Sequence, residues 1–193
     1  DMDKAVKRIH RAIEDFERIA VYGDYDADGV TGPSILFTYL EAVGADVMYY
    51  IPQREGEGYG MNLHAVETLH QEGVTLIITV DNGIAAVEPI QAAKAAGNVV
   101  LILDHHLPQA EIPPADVIVD PHLHPERNGY EHYCGAGLAY KLAEYLCREE
   151  SSQEKKDLFF DLLVLADIHL ANRLGDIAQY KELMLPEVKN YIA

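Results

Sequence analysis

The stretch Val21-Tyr22-Gly23-Asp24-Tyr25-Asp26-Ala27-Asp28-Gly29-Val30-Thr31-Gly32 decides how the rest of the chain is read. Carboxylates occupy alternate positions directly after the apolar run Ile19-Ala20-Val21-Tyr22, and a segment of helical character, 31–43, follows. Alternate residues of an extended chain point the same way. Asp24, Asp26 and Asp28 are therefore expected to converge at the end of a strand. Carboxylates held that close repel one another. A divalent cation resolves the repulsion, because hard cations take carboxylate oxygens. The competing reading is a polar turn that happens to be acidic.

Outward from this stretch the same pattern recurs. Val74-Thr75-Leu76-Ile77-Ile78-Thr79-Val80 is a continuous apolar run that ends in Asp81-Asn82-Gly83. Residues 99–103 form another, ending in Asp104-His105-His106, and 116–119 a shorter one ending in Asp120-Pro121. Residues 46–51 read as a strand stopped by Pro52. Between the strands come helical segments: 31–43 closed by Gly44, 63–72 capped by Asn62 and closed by Gly73, and the alanine-rich 84–96 closed by Gly97. Residues 2–18 read as an amphipathic helix with Val6, Ile9, Ile13 and Phe16 on its apolar face. Residues 136–149 and those from 153 onward read as helical, with a break at Ser151-Ser152.

Apolar strands alternating with helices predict an α/β fold: a parallel sheet with helices on both faces, followed by a helical C-terminal segment, 134–193. Ligands of such sheets bind beyond the carboxyl ends of the strands. That edge carries Asp24, Asp26 and Asp28, then Asp81, then Asp104-His105-His106. The connection 121–133 is polar and reads as surface. Its His122 and His124 share a face if extended, where a second metal site is conceivable; His132 lies further along.

The chain of 193 residues suits one domain, with 49% hydrophobic residues to build its core. Lys and Arg number 15 against 32 Asp and Glu, a net charge of −17. That balance argues against a free-standing nucleic-acid binder, whose footprint is basic. Cys134 and Cys147 have neither zinc-ligand nor disulfide-framework spacing, so a reducing cytoplasm is expected. No apolar run reaches membrane length. The chain begins Asp1-Met2-Asp3, as an excised domain would.

Carboxylates with one or two histidines and no thiolate suit Mn²⁺ or Mg²⁺ better than structural zinc. Several carboxylates can hold two ions about 3.5–4 Å apart, which activates a water and neutralises charge at a reacting phosphate. A histidine alongside adds a donor for a phosphate oxygen. Neither a P-loop nor a Gly-x-Ser-x-Gly elbow is present. The residues reach a metal-dependent hydrolase of phosphate esters and leave the ester open.

Asp104-His105-His106 after an apolar strand resembles the signature of the DHH phosphoesterase family. Gly23-Asp24-Tyr25-Asp26-Ala27-Asp28-Gly29 resembles its first motif and Val80-Asp81-Asn82-Gly83 its second. Gly58-Tyr59-Gly60-Met61-Asn62, following Ile51-Pro52 and Arg54, resembles a loop of the RecJ-type single-strand-specific exonuclease branch. So does Cys134-Gly135-Ala136-Gly137-Leu138-Ala139-Tyr140-Lys141 at the start of a helix. The resemblance implies a DHH domain holding two Mn²⁺ ions, with Mg²⁺ as the substitute. It implies metal ligation by Asp26 and Asp28, with Asp81 bridging both ions and His105 as the histidine ligand. His106 would face the scissile phosphate, Asp104 would orient a histidine, and Arg54 and Gly135 would meet substrate. Tyr22 stands where many relatives carry a histidine ligand, which leaves Asp24 or water as a substitute ligand. The fourth-motif aspartate is Asp176 or Asp167. Asp176 is preferred, because Gly175 precedes it and Asp167 matches the start of the motif.

The second, substrate-gripping domain of the RecJ branch is not expected within these residues, so the chain reads as a fragment of a longer nuclease or as a minimal relative with altered activity. The resemblance implies a Mn²⁺-dependent 5′-to-3′ exonuclease of single-stranded DNA, placed in repair or recombination with other repair or replication proteins as partners. A phosphodiesterase or pyrophosphatase acting on oligonucleotides, cyclic dinucleotides or pyrophosphate stays open. So does an inactive scaffold.

Overall fold

The structure, a computed structural model, describes residues 1–53, 55–127 and 133–147. Five parallel strands form one sheet in the order β2-β1-β3-β4-β5. They are β1 (Ile19–Tyr22), β2 (Val47–Tyr50), β3 (Leu76–Val80), β4 (Val99–Leu103) and β5 (Val117–Val119). The helices are α1 (Met2–Glu14), α2 (Ala27–Ala42), α3 (Leu63–Gln71), α4 (Val87–Ala95) and α5 (Gly135–Leu146). Alternate strand residues feed two cores. Ile19, Val21, Leu76, Ile78, Val80, Leu101 and Leu103 face α1, α2 and α5, among Ile9, Ile35, Leu36 and Leu142. Ala20, Tyr22, Ile77, Val100 and Ile102 face α3 and α4, among Leu69 and Ile90. Full burial of each such Ile or Leu contributes roughly 1.5–3 kcal/mol, so the apolar runs fix the sheet. The parallel α/β sheet with helices on both faces is as expected. The helical segment expected beyond 147 lies outside the described residues.

Chain order reverses between β1 and β3, since β2 lies on one side of β1 and β3 on the other. A crevice opens beyond the strand ends at such a point, and Asp24–Asp28 and Asp81 leave the sheet there.

Gly44, Gly73 and Gly97 close their helices at positive φ as expected. The first helix ends earlier than its apolar pattern suggests. Phe16 N–H bonds the Ile13 carbonyl and Glu17 N–H the Ala12 carbonyl, a Schellman closure with Phe16 as the left-handed residue at φ 54°. Phe16 is therefore 88% exposed, and Ala5, Ile9 and Ala12 form the buried stripe. The fourth helix starts at Val87 rather than 84, because Ile84 N–H is taken by Asp104 instead of entering a helical turn.

The second helix begins well before residue 31. Asp26 is its N-cap, accepting from Gly29 N–H at 2.8 Å, and Asp28 lies in its first turn. The expected extended run of alternating carboxylates is thus not what is formed. Pro33 sits inside α2 and cannot donate to the Gly29 carbonyl four residues back. That carbonyl accepts Asp24 N–H instead, at 2.9 Å. A Cβ on Gly23 would lie 2.5 Å from Pro33 Cγ. Gly23 and Pro33 together let the chain turn from β1 into α2 this tightly.

Candidate functional site

Asp81, His105 and His106 each bring a ligand-capable atom within 4.8 Å of the others, the one such group among the described residues. Asp81 follows β3 in the left-handed region, at φ 65°, which a non-glycine residue adopts at some cost. Its Oδ1 lies 3.0 Å from His105 Nε2, and Asp28 Oδ2 lies 3.9 Å from the same nitrogen. The first motif, the end of β3 and the end of β4 therefore meet at one point.

The start of α5 holds this point together. Gly135 N–H donates to Asp28 Oδ2 at 2.8 Å and Ala136 N–H to Asp28 Oδ1 at 2.7 Å. A helix N-terminus favours a carboxylate there. A Cβ on Gly135 would stand 2.5 Å from Asp81 Cβ. Gly135 was expected to meet substrate, but it is buried and its N–H is committed to Asp28. Its position beneath two carboxylates is what only glycine permits.

Asp104 is buried and holds the second histidine. Its Oδ1 lies 2.7 Å from His106 Nδ1 and accepts the N–H of His105 and His106, while Oδ2 accepts Ile84 N–H at 2.9 Å. Burial alone would raise the Asp104 carboxyl, but the bond to His106, the charge of His106 and these N–H groups hold it below its ordinary value. The bond to Asp104 first, then the charge of Asp104, raise His106 above its ordinary value.

Asp24, expected as a possible ligand, has a different set of bonds. It is fully buried, its Oδ1 accepts Tyr25 N–H and its Oδ2 Gly60 N–H, each at 2.7 Å. Tyr22 hydroxyl donates to the Gly60 carbonyl at 2.9 Å and its ring stacks on Tyr50 at 5.3 Å. Both residues tie the loop 56–62 to the end of β1.

That loop contributes a side chain no spacing pattern singled out. Tyr59 hydroxyl donates to the Asp81 carbonyl at 3.3 Å, and its ring meets His106 and Tyr25 edge-on at 6.2 and 5.9 Å. Burial, then nearby carboxylates, push its hydroxyl pKa up, so it stays a donor. In the sequence Tyr59 stood within the stretch Gly58–Asn62 that resembles the RecJ-type loop, with no role of its own assigned. A cleft of about 400 Å³, lined by Tyr59, Met61, Gly83, Leu107 and Gln109, opens beside His106. Arg54, Asp167 and Asp176, and His132 lie outside the described residues. His122 and His124 fall on and just after a 3-10 turn rather than an extended run; His122 faces Asp120 and His124 faces Glu126, so the shared face expected of them is not formed.

The oxygen and nitrogen donors, without thiolate, suit a hard divalent cation. Burial, then repulsion from Asp28 and Asp26, pushes the Asp81 carboxyl up to about 10. A carboxyl raised in this way favours its protonated form in the metal-free site, and a cation must displace that proton. Mn²⁺ affinity is therefore expected to rise with pH by up to about tenfold per unit between pH 6 and 8, with proton release. Calorimetry in buffers of different ionisation enthalpy checks this; pH-independent affinity without proton release would remove the argument.

Comparison with known proteins agrees with this geometry. A family model described as "DHH family, N-terminal domain" matches residues 18–167. The single-stranded-DNA-specific exonuclease RecJ of Bacillus subtilis is 45% identical over 77% of this chain and 19% of its own length. A crystal structure of exonuclease RecJ bound to manganese superposes with a TM-score of 0.74 at 35% identity, covering 86% of this chain and 41% of that one. RecJ of Thermus thermophilus in complex with Mn²⁺ gives 0.68 at 32% identity, over 86% and 23%. The chain spans about a fifth to two-fifths of these relatives. With its three motifs gathered at one sheet edge and the model matched over most of its length, the chain belongs to the DHH family.

Proposed function

We propose that residues 1–193 are a DHH phosphoesterase domain that hydrolyses phosphodiester bonds of single-stranded DNA, from 5′ to 3′, with Mn²⁺. The observation that carries this reading is the convergence of Asp81, His105 and His106 within 4.8 Å, beside Asp28. Asp26, Asp28, Asp81 and His105 would hold two Mn²⁺ ions, with Asp81 bridging and Asp176 the further ligand. The ions would supply an activated water and neutralise charge on the phosphate.

This chain's own residues do the rest. His106, kept charged by Asp104, donates from Nε2 to a phosphate oxygen and stabilises the charge that develops there. Asp104 fixes the ring through Nδ1. The N–H groups of Gly135 and Ala136 hold Asp28 in place. Tyr59 braces Asp81 through its carbonyl and walls the cleft next to His106. Asp24 is assigned to anchoring the loop 56–62 rather than to metal.

The net charge of −17 favours a second reading, hydrolysis of small phosphate substrates. Incubating the chain with Mn²⁺ and 5′-labelled single-stranded DNA, dinucleotides or pyrophosphate separates the two. Release of 5′ mononucleotides from DNA is the expected result. Preferential hydrolysis of pyrophosphate would transfer the assignment to the second reading, and no hydrolysis of any substrate by the Mn²⁺-loaded chain would overturn both.

A further inference from the structure

Two neighbouring strands end in the same device. β4 continues as Leu103-Asp104-His105-His106 and β5 as Val119-Asp120-Pro121-His122. In each, aspartate Oδ1 accepts the backbone N–H of the histidine two residues on and lies against its ring Nδ1. The distances are 3.2 and 2.7 Å for Asp104 with His106, and 2.8 and 3.2 Å for Asp120 with His122. Leu103 pairs with Val119, and Asp104 N–H bonds the Val119 carbonyl. The two aspartates therefore leave the sheet side by side, one strand spacing of about 4.8 Å apart.

The copies differ at the other carboxylate oxygen. Asp104 Oδ2 accepts Ile84 N–H, whereas Asp120 Oδ2 is buried with no hydrogen-bond partner, on a side chain that is fully buried. Asp120 holds the His122 ring by Nδ1, which leaves Nε2 uncommitted to Asp120. The His122 side chain is 31% exposed. The donors do not make a cation site. Among the described residues the group of three or more ligands is Asp81, His105 and His106, and His124 turns toward Glu126 at 3.7 Å.

We propose that His122 is a second phosphate-binding residue, contacting the phosphate next to the scissile one. A phosphodiester chain would then lie across the ends of β3, β4 and β5, with the reacting phosphate at Asp81 and His106 and its neighbour at His122. The inference rests on the phosphodiester reading above and deepens it. It assigns the site to substrates with at least two linked phosphodiesters rather than to single phosphoesters. A charge-assisted hydrogen bond to a phosphate oxygen supplies the recognition.

The test compares a 5′-phosphorylated trinucleotide with bis(p-nitrophenyl) phosphate, which has one phosphodiester, using the Mn²⁺-loaded chain. His122→Ala is expected to lower the ratio of kcat/KM for the trinucleotide over that for the small ester about tenfold, through KM. His122→Lys, which supplies N–H donors at the same position, restores most of that ratio. His106→Ala lowers kcat on both substrates and moves the ratio by less than about twofold. An unchanged ratio in His122→Ala, or an equal loss of kcat on both substrates, would overturn the inference. In parallel, the His122 imidazole signals of the unmutated chain are followed by NMR as the trinucleotide is added with Ca²⁺. They are expected to shift, and signals that stay in place overturn the inference even where the unmutated chain cleaves neither ester, a result that by itself removes only the phosphodiester reading.

Discussion

Asp81→Asn is expected to abolish Mn²⁺-dependent hydrolysis and leave the metal-free fold at least as stable. Asparagine keeps the shape of the side chain and tolerates the left-handed backbone at φ 65° better than alanine does. It removes the charge for which the site is arranged. Asp81 is 2% exposed and faces His105 at 3.0 Å, and its ionised form is opposed by burial and by Asp28 and Asp26. A carboxylate so placed is tolerated when a cation offsets it, and in the proposed role of bridging ligand it would be shared by both ions. Calorimetry should find two Mn²⁺ sites in the parent and weak or single-site binding in the variant, while thermal melting of the two metal-free proteins coincides or favours the variant. Turnover at the parent rate in Asp81→Asn would remove the assignment.

The two adjacent histidines are expected to fail differently. His106→Ala should keep Mn²⁺ and lose about 10²–10³ in rate, the usual effect of removing one transition-state donor. His105→Ala should lose metal affinity as well. The reason lies in their partners: His105 Nε2 points at Asp81 and Asp28, whereas His106 is gripped through Nδ1 by Asp104 at 2.7 Å. His106 still belongs to the same 4.8 Å group, so metal titrations decide the matter; equally poor Mn²⁺ binding by both variants would refute the division of roles.

The pair with Asp104 also sets a pH window. Because His106 is raised, its donor form, and the stability it contributes, are complete below the ordinary histidine range and lost as pH rises through the raised value. Because Asp104 is lowered, its contribution is present above the ordinary carboxylate range and lost as pH falls through the lowered value. The basic limb of the rate profile should therefore move toward acid in Asp104→Asn, which withdraws the charge that sustains His106.

The sheet was legible in the chain because continuous apolar runs have few other ways to be buried. Leu76–Val80 and Val99–Leu103 feed both cores by alternation alone, and the glycines at 44, 73 and 97 end helices for local reasons of backbone freedom. The acidic strand ends and their meeting at one edge followed from the same logic, since parallel strands send all their carboxyl ends one way. Local pattern misplaced what depends on a distant partner. Phe16 continues a helical stripe in the sequence, yet Glu17 N–H closes on Ala12 and turns it out to solvent. Asp24, Asp26 and Asp28 look equivalent at alternate positions. Only the packed structure makes Asp24 a tie to Gly60, Asp26 a helix cap and Asp28 the carboxylate held by α5, more than a hundred residues away. Gly135 and Tyr59 acquire their places beside Asp81 in the same way. Spacing along a chain fixes which face a side chain takes, whereas its hydrogen-bond partner and its charge environment are set by segments that meet only when the fold closes.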